Sequence, residues 1–246
     1  MYWNTVKEIV EADPKLAVIP VGSVEQHGPH LPVMTDWAIA SELGKRVALK
    51  MNAFCLPALP ISTCKEHMGK KGSVWMAPMT FYQMLEDIVS SLKVQGFKKV
   101  AILQCHGGIF VLPPLVRELN AKYNPDLMVA LIDICNFFGQ IQENGLVETS
   151  EELHAGEIET SQVLALAPET VHMDWAEDFV PAAPRAYLNY GSIFHVSENG
   201  VWGQPSYASA EKGEKIFAYC ADMAVEELNK AFSFMEEKKK QGYSDF

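Results

Sequence analysis

Residues 20–36, PVGSVEQHGPHLPVMTD, carry four side chains that can bind a metal ion: Glu25, His27, His30 and Asp36. Glu25 and His27 are two residues apart, so in extended backbone both side chains leave the same face and can converge on one ion. Glycine and proline residues between positions 28 and 32 break regular structure and allow the chain to fold back, bringing Asp36 towards its start. The segment therefore has the residue types and the irregular backbone of a metal-binding loop.

Two further groups have the same chemistry. His106 is followed by two glycines, which permit a tight turn and a close backbone approach. His154 and Glu157 are three residues apart, on one face of a helical turn. A single His or Glu in a loop is more often a hydrogen-bonding residue, but three such groups favour a metal site. Mixed carboxylate and imidazole ligands suit zinc, manganese or iron(II).

The elements that must position these groups alternate along the chain. Apolar runs predict strands at residues 16–21, 53–59, 99–104 and 127–134. Helical patterns lie at residues 35–50, 80–95, 155–166 and 209–238. This alternation predicts an α/β fold, a three-layer α/β/α sandwich with a mostly parallel central sheet. Ligands bind such sheets at the carboxyl ends of the strands, where the polar groups lie. Residues 174–204 show no clear period and predict loops over the same edge.

Composition narrows the classes of partner. The chain has 246 residues and a formal net charge of -11, which suits one domain over residues 1–246 and disfavours binding to nucleic acid or an anionic membrane. We therefore expect a small-molecule substrate. The acidic amino terminus and the lack of a long apolar run predict a cytoplasmic protein. Five dispersed cysteines predict reduced thiols rather than disulfides, although Cys105, beside His106, is an alternative nucleophile.

The motifs together resemble one enzyme family. PVGSVEQHGPHLP, the Thr35-Asp36 pair, the HGG triplet at residues 106–108 and HAGEIETS at residues 154–161 are similar to the motifs of the creatininase, or creatinine amidohydrolase, family. Members of that family are α/β/α enzymes, commonly hexameric, with two divalent metals bridged by a carboxylate. The resemblance implies a single creatininase-like, metal-dependent hydrolase domain, two divalent ions per subunit (Zn, Mn or Fe), and a homo-oligomer.

Carried over by motif position, the resemblance implies five metal ligands: Glu25, His27, Asp36, His106 and Glu157. It makes Asp36 the bridging carboxylate and His154 the acid/base. Five further residues are candidates for contacting substrate or supporting the ligands: His30, His67, Gln104, Ile109 and Trp202. Trp175 and Trp202 either close over the site or anchor their loops. His172 reads as a surface residue and His195 as a strand histidine.

The sequence also departs from the family pattern. The usual NGHGGN reads QCHGGI here, and creatininase itself carries an acidic ligand two residues after the metal-binding His, where this chain has Gly108. These differences disfavour creatinine as the substrate. The implied reaction is hydrolysis of a C–N bond in a small polar cyclic substrate or an amide. Alternatives are hydrolysis of a carbon–carbon bond in a cyclic keto-inositol of the 3-dehydro-scyllo-inosose type, formyl-amide hydrolysis, and metal-containing binding without turnover.

Overall fold

The computed structural model describes residues 4–240. Four strands form one sheet in the order β2-β1-β3-β4, and every neighbouring pair is parallel. The strands are β1 (Leu16–Val21), β2 (Phe54–Cys55), β3 (Lys99–Gln104) and β4 (Met128–Asp133). The helices are α1 (Val6–Ala12), α2 (Thr35–Lys50), α3 (Pro78–Val94), α4 (Leu112–Tyr123), α5 (Phe138–Glu143), α6 (Glu157–Leu166) and α7 (Ala210–Lys240).

Helices cover both faces of the sheet, and the two cores explain why. Along β3, Ala101 and Leu103 pack into a core with α2 and α7. The alternate residues Val100 and Ile102 belong to a second core with α3 and α4. Because successive strand side chains point to opposite faces, an entirely apolar strand needs a covering layer on each side. The predicted α/β/α architecture is confirmed.

One strand and three helices differ from the prediction. Residues 53–59 were expected to form a strand, but only Phe54–Cys55 pairs regularly, with an isolated bridge between Val21 and Leu59 farther along. Pro57 and Pro60 interrupt this segment, and proline has no N–H to donate to a ladder. Helices α1, α4 and α5 were not predicted. Prolines in the first turn of α4 begin that helix, where their missing N–H groups cost no helical hydrogen bond.

The sheet order opens a crevice between β1 and β3. From β1 the chain moves outward to β2 and then returns to the other side of β1 to form β3, so the connections diverge at the carboxyl ends of these two strands. Just beyond β1, a Cβ at Gly22 would lie 2.5 Å from the carbonyl oxygen of Asp36. Only glycine permits this approach, which brings the start of α2 to the end of β1.

Two further expectations concern membranes and thiols. Within residues 4–240, no helix is both long and apolar enough to cross a membrane. The five cysteines are free thiols, and all except Cys135 are buried.

Candidate active site

Four of the five implied ligands meet in the crevice: Glu25, His27, Asp36 and His106. The Oδ1 atom of Asp36 lies 3.0 Å from Nε2 of His27, and its Oδ2 atom lies 3.1 Å from Nδ1 of His106. The same Nδ1 atom is 3.2 Å from Oε2 of Glu25. All four side chains are buried. Asp36 therefore presents one carboxylate oxygen to each of two different imidazoles.

This cluster fits divalent cations by its unsatisfied atoms. Among the described residues, Oε1 of Glu25 and Oδ2 of Asp36 are buried and make no hydrogen bond of good geometry, although an imidazole nitrogen lies 3.1 Å from each. Buried carboxylates are costly unless they are paired or coordinate a metal. Three overlapping groups have potential ligand atoms within 4.8 Å of one another: Glu25, His27 and Asp36; His27, His154 and Glu159; and Glu25, His67 and His154. Carboxylate and imidazole ligands are those that zinc and manganese accept.

The electrostatics of the cluster agree with a cation site. Burial opposes protonation of His27, yet the negative charges of Asp36 and Glu159 raise its pKa to about 10. Burial raises the pKa of Glu159 to about 7, although His27 works in the opposite direction. The carboxylates thus draw protons onto the neighbouring imidazoles. A divalent ion would supply the same compensation without the protons.

The structure does not bring Glu157 into this cluster. Its buried carboxylate accepts hydrogen bonds from the backbone N–H groups of Glu148 and Thr149, from the Thr149 hydroxyl and from the Lys212 ammonium. Among the described residues, the groups of potential ligands contain Glu159 and not Glu157. Glu157 thereby ties α6 to the start of α7 through Lys212.

Glu159 occupies the place that the sequence reading gave to Glu157. Its Oε2 atom lies 3.7 Å from Nε2 of His27 and accepts a hydrogen bond from the N–H of Ala155. Residues two apart on a helix point in different directions, so only one of the two glutamates can face the cluster. The HAGEIETS motif offers both. The motif alone does not show which glutamate faces the cluster. Glu157 is held away from it by pairing with Lys212, a residue 55 positions farther along the chain.

His154 lies against the cluster. Its backbone pairs with Trp202 across an isolated bridge, and its Nε2 atom is 2.7 Å from the carbonyl oxygen of Gln26. That bond assigns the proton of a neutral ring to Nε2 and leaves Nδ1, which is 3.7 Å from Oε1 of Glu25, facing the cluster. Burial, followed by the charge of His27, holds the pKa of His154 well below its usual value.

The remaining candidate residues lie at different distances from the cluster. His67 is in the cluster, with Nε2 3.1 Å from Oε1 of Glu25. His30 is buried outside the cluster, and its Nε2 atom lies 3.0 Å from the Thr160 hydroxyl. Gln104 donates to the carbonyl of His106 and so holds the turn after β3.

The surroundings of Ile109 and Trp202 indicate structural roles. Ile109 is buried in the apolar core with α3 and α4. Trp202 is buried, and its backbone holds His154 in place. Trp175 is exposed and stacks on His172 with ring centroids 4.2 Å apart. His195 is exposed, on a short 3-10 turn (Ile193–His195) rather than in the expected strand.

A cavity of about 310 Å³ opens beside the cluster. Its polar wall includes Glu66, His106, His154 and Glu159. The rest of the lining is largely apolar, and Arg185 donates a hydrogen bond to the carbonyl of Gly107. The side chains that line it are Glu66, His67, His106, Phe110, Cys135, Leu153, His154, Glu159, Arg185, Ala186, Leu188, Asn189 and Ile193. A cavity of this size suits a small molecule.

Cys105 does not have the surroundings of a nucleophile. Its thiol is buried, and burial raises its pKa well above the usual value. A thiol acts as a nucleophile in its thiolate form, which a raised pKa removes. Cys105 is therefore a small buried side chain at the end of β3.

Glu152 is a partly buried carboxylate that the sequence reading missed. It accepts hydrogen bonds from the Thr149 hydroxyl and from the N–H of Glu157, at the start of α6. A Cβ at Gly156 would collide with this carboxylate. Helix α6 begins at a glycine without a side-chain cap, so Glu152 supplies the acceptor from the preceding loop. It orients the helix that carries Glu159.

Comparison with known proteins identifies the family. A sequence model of the creatininase family, described as creatinine amidohydrolase, matches residues 1–228. The chain belongs to the creatininase family. Its creatininase-family relatives include a 3-dehydro-scyllo-inosose hydrolase from Thermotoga maritima, 30% identical over 81% of this chain and 72% of the relative. A mycofactocin precursor peptide peptidase from Mycobacterium ulcerans is 30% identical over 86% and 83%.

Creatininase itself is a more distant relative. Creatinine amidohydrolase from Pseudomonas putida is 26% identical over 94% of this chain and 95% of its own length. A putative creatinine amidohydrolase from Bacteroides fragilis has a solved structure with a TM-score of 0.74 at 29% identity, covering 92% of this chain and 94% of that one. A creatininase structure gives 0.79 at 24%, covering 93% and 96%. The protein is thus a hydrolase of this family, and the predicted resemblance is confirmed.

Proposed function

We propose that this protein uses two divalent metal ions to hydrolyse a C–N bond in a small polar cyclic substrate or an amide. The observation that carries the proposal is the division of the Asp36 carboxylate between two imidazoles. We define the His106 position by Glu25, Asp36 and His106, and the His27 position by His27, Asp36 and Glu159. Asp36 would serve both positions, and Glu159 would take the place of Glu157 in the implied ligand set.

When bound, the two ions supply Lewis acidity for the scissile carbonyl and lower the pKa of the attacking water. The carboxylates of Glu25, Asp36 and Glu159 contribute three negative charges against four positive ones, which leaves a small excess suited to an anionic nucleophile. His154, beside these groups, would take a proton from the attacking water at Nδ1 and give it to the leaving group. Its low pKa in the buried site keeps the ring neutral before the transfer and makes the protonated ring a strong acid towards the leaving group.

The substrate class follows from the cavity and the relatives. A space of about 310 Å³ with a mixed polar and apolar lining favours a small molecule. Carbon–carbon bond hydrolysis in a cyclic keto-inositol is the second candidate, favoured by the 30% identity to the Thermotoga maritima inosose hydrolase. Formyl-amide hydrolysis and metal binding without turnover are further alternatives. We expect zinc, manganese or iron as the metal.

The proposal also covers the domain organisation, cellular location and oligomeric state of the protein. We infer that residues 1–246 form a single hydrolase domain that works in the cytoplasm. The family resemblance supports a homo-oligomer, specifically a hexamer. Light scattering of the purified protein tests the hexamer directly.

The test combines metal analysis with a substrate panel. The protein is stripped with a chelator, reloaded separately with zinc, manganese or iron(II), and assayed on creatinine, an N-formyl amine and a cyclic keto-inositol. His195→Gln, which alters an exposed histidine outside the cluster, is the control and should match the wild type. We expect turnover that chelation abolishes and one metal restores. Bound metal without turnover on every compound would favour a binding protein, and turnover that survives chelation would contradict the metal mechanism.

A further inference from the structure

Glu66 is a cavity-facing carboxylate to which the proposed mechanism gives no role. It lies on a short 3-10 turn (Lys65–His67), and its side chain is only 16% exposed. Its neighbour His67 faces Glu25 with Nε2 and Oε1 3.1 Å apart. One tight turn thus inserts two adjacent side chains against the metal-binding cluster, each directed at a different member.

The partner of Glu66 is the outer nitrogen of His106. Its Oε1 atom lies 3.1 Å from Nε2 of His106, whose Nδ1 atom faces Glu25 and Asp36. Oε1 of Glu66 and Nε2 of His106 are both buried, and neither makes a hydrogen bond of good geometry among the described residues, so the 3.1 Å approach is a polar contact open to each of them. The ring of His106 is therefore held between the cluster carboxylates on one edge and Glu66 on the other.

Gly108 provides the space for this arrangement. A Cβ at position 108 would overlap Oε1 of Glu66 and would lie 2.5 Å from Nε2 of His106. A larger residue at this position therefore excludes the Glu66 carboxylate from its place beside the ring. The glycine that departs from the acidic residue of creatininase is the residue that lets a carboxylate from another segment reach His106.

We propose that Glu66 is a positioning residue that fixes His106 as an Nδ1 metal ligand. Its carboxylate accepts a hydrogen bond from Nε2–H, which selects the tautomer with a free electron pair on Nδ1. A carboxylate behind a metal-binding imidazole also orients the ring and makes it a stronger donor, and its removal typically lowers metal affinity about 10–100-fold. This role rests on the proposed metal centre and extends it to a residue outside the ligand set.

The role predicts a selective effect on one of the two metal positions. Glu66→Ala should lower affinity at the His106 position by about 10–100-fold, while the His27 position, which lacks His106, changes much less. Glu66→Gln, whose amide oxygen still accepts from Nε2–H without the negative charge, should fall between wild type and Glu66→Ala. Glu169→Ala, at an exposed glutamate far along the chain, is the matched control.

The experiment measures zinc dissociation constants for both positions by chelator competition, with elemental analysis of the loaded protein. NMR of ¹⁵N-labelled histidine in the zinc-loaded protein reports the His106 tautomer directly. We expect Nε2–H in the wild type and a broadened or shifted signal in Glu66→Ala. Circular dichroism and urea unfolding establish that each variant is folded. If Glu66→Ala does not fold, Glu66→Gln still tests the role.

Several outcomes would overturn the role. Unchanged affinity at both positions together with reduced turnover would make Glu66 a substrate-contacting residue. Equal loss at both positions would indicate a general structural role. If the wild type binds two ions and every variant binds them as tightly, only the role of Glu66 fails. If the wild type binds none, the proposed metal centre fails with it.

Discussion

Changing each of the two glutamates of α6 to glutamine should lower stability in one variant and metal binding in the other. The carboxylate of Glu157 is fully buried and receives two backbone N–H groups, one hydroxyl and the Lys212 ammonium. Breaking a buried ion pair costs about 3–5 kcal/mol, because a charge is left without its partner. Lys212 also bonds to Glu148 and to the carbonyl of Tyr207, so we expect the lower end, about 3 kcal/mol, for Glu157→Gln.

Glu159→Gln should behave in the opposite way. The carboxylate of Glu159 accepts one hydrogen bond, from the N–H of Ala155, and the amide oxygen of glutamine can keep it. Burial already disfavours the charged form, since it raises the pKa of Glu159 to about 7. The metal-free free energy of unfolding should therefore change by less than about 1 kcal/mol. The metal at the His27 position should be lost, because its only glutamate ligand is gone.

Two measurements on the same preparations check this pair. Urea unfolding in the presence of chelator gives the stability of the metal-free chains, and elemental analysis after reloading gives the metal content. We expect Glu157→Gln to be destabilised with two ions bound, and Glu159→Gln to be stable with one. A folded Glu157→Gln that lacks metal, beside a Glu159→Gln that holds both ions, would refute the reasoning and restore Glu157 as a ligand.

The remaining predictions concern three other residues of the site. Asp36→Ala should lose both metals, since it removes the shared ligand; full metal content by elemental analysis would place the bridge elsewhere. His154→Ala should lower kcat about 10²–10⁴-fold with its metal content unchanged, whereas near-normal turnover in the metal-loaded variant would remove it from the mechanism. Burial lowers the pKa of His30 from 6.5 to about 4, so the unfolded chain binds an extra proton in that window. Stability should consequently fall as the pH drops from 6.5 to 4, by about 1.4 kcal/mol per pH unit from this group. His30→Gln should flatten that slope in urea titrations, and an unchanged slope would contradict the assignment.

The sequence predicted the central strands well because their apolar runs are long and uninterrupted. The bounds of β1 and β3 match the prediction, and both strands are buried on two faces. The predicted edge strand β2 was too long, because its apolar composition was given more weight than its prolines. The amphipathic pattern of α4 begins at two prolines, which read as a break in the chain rather than as a helix start.

The site was predictable where one short segment supplies it and ambiguous where a helix supplies it. The loop that holds Glu25 and His27 has a backbone that fixes their common direction. In α6 the choice between Glu157 and Glu159 depends on the rotation of the helix, which is set by contacts with α7 and not by local spacing. The same limit applies to Glu66, because its meeting with His106 needs two segments that only the folded sheet brings together.

The order of the strands has a consequence for how the protein folds. The pairing of β1 with β3 joins Leu16 to Lys99, a non-local contact whose loop-closure entropy must be overcome early and whose formation is intrinsically slow. Asp36 and His106 face each other only after that pairing has formed. A divalent ion held by both would bind the assembled sheet and not its separate halves. An ion that binds only after this slow pairing would slow unfolding more than it speeds folding. The rate at which the protein loses metal on dilution would then report how slowly the native chain unfolds.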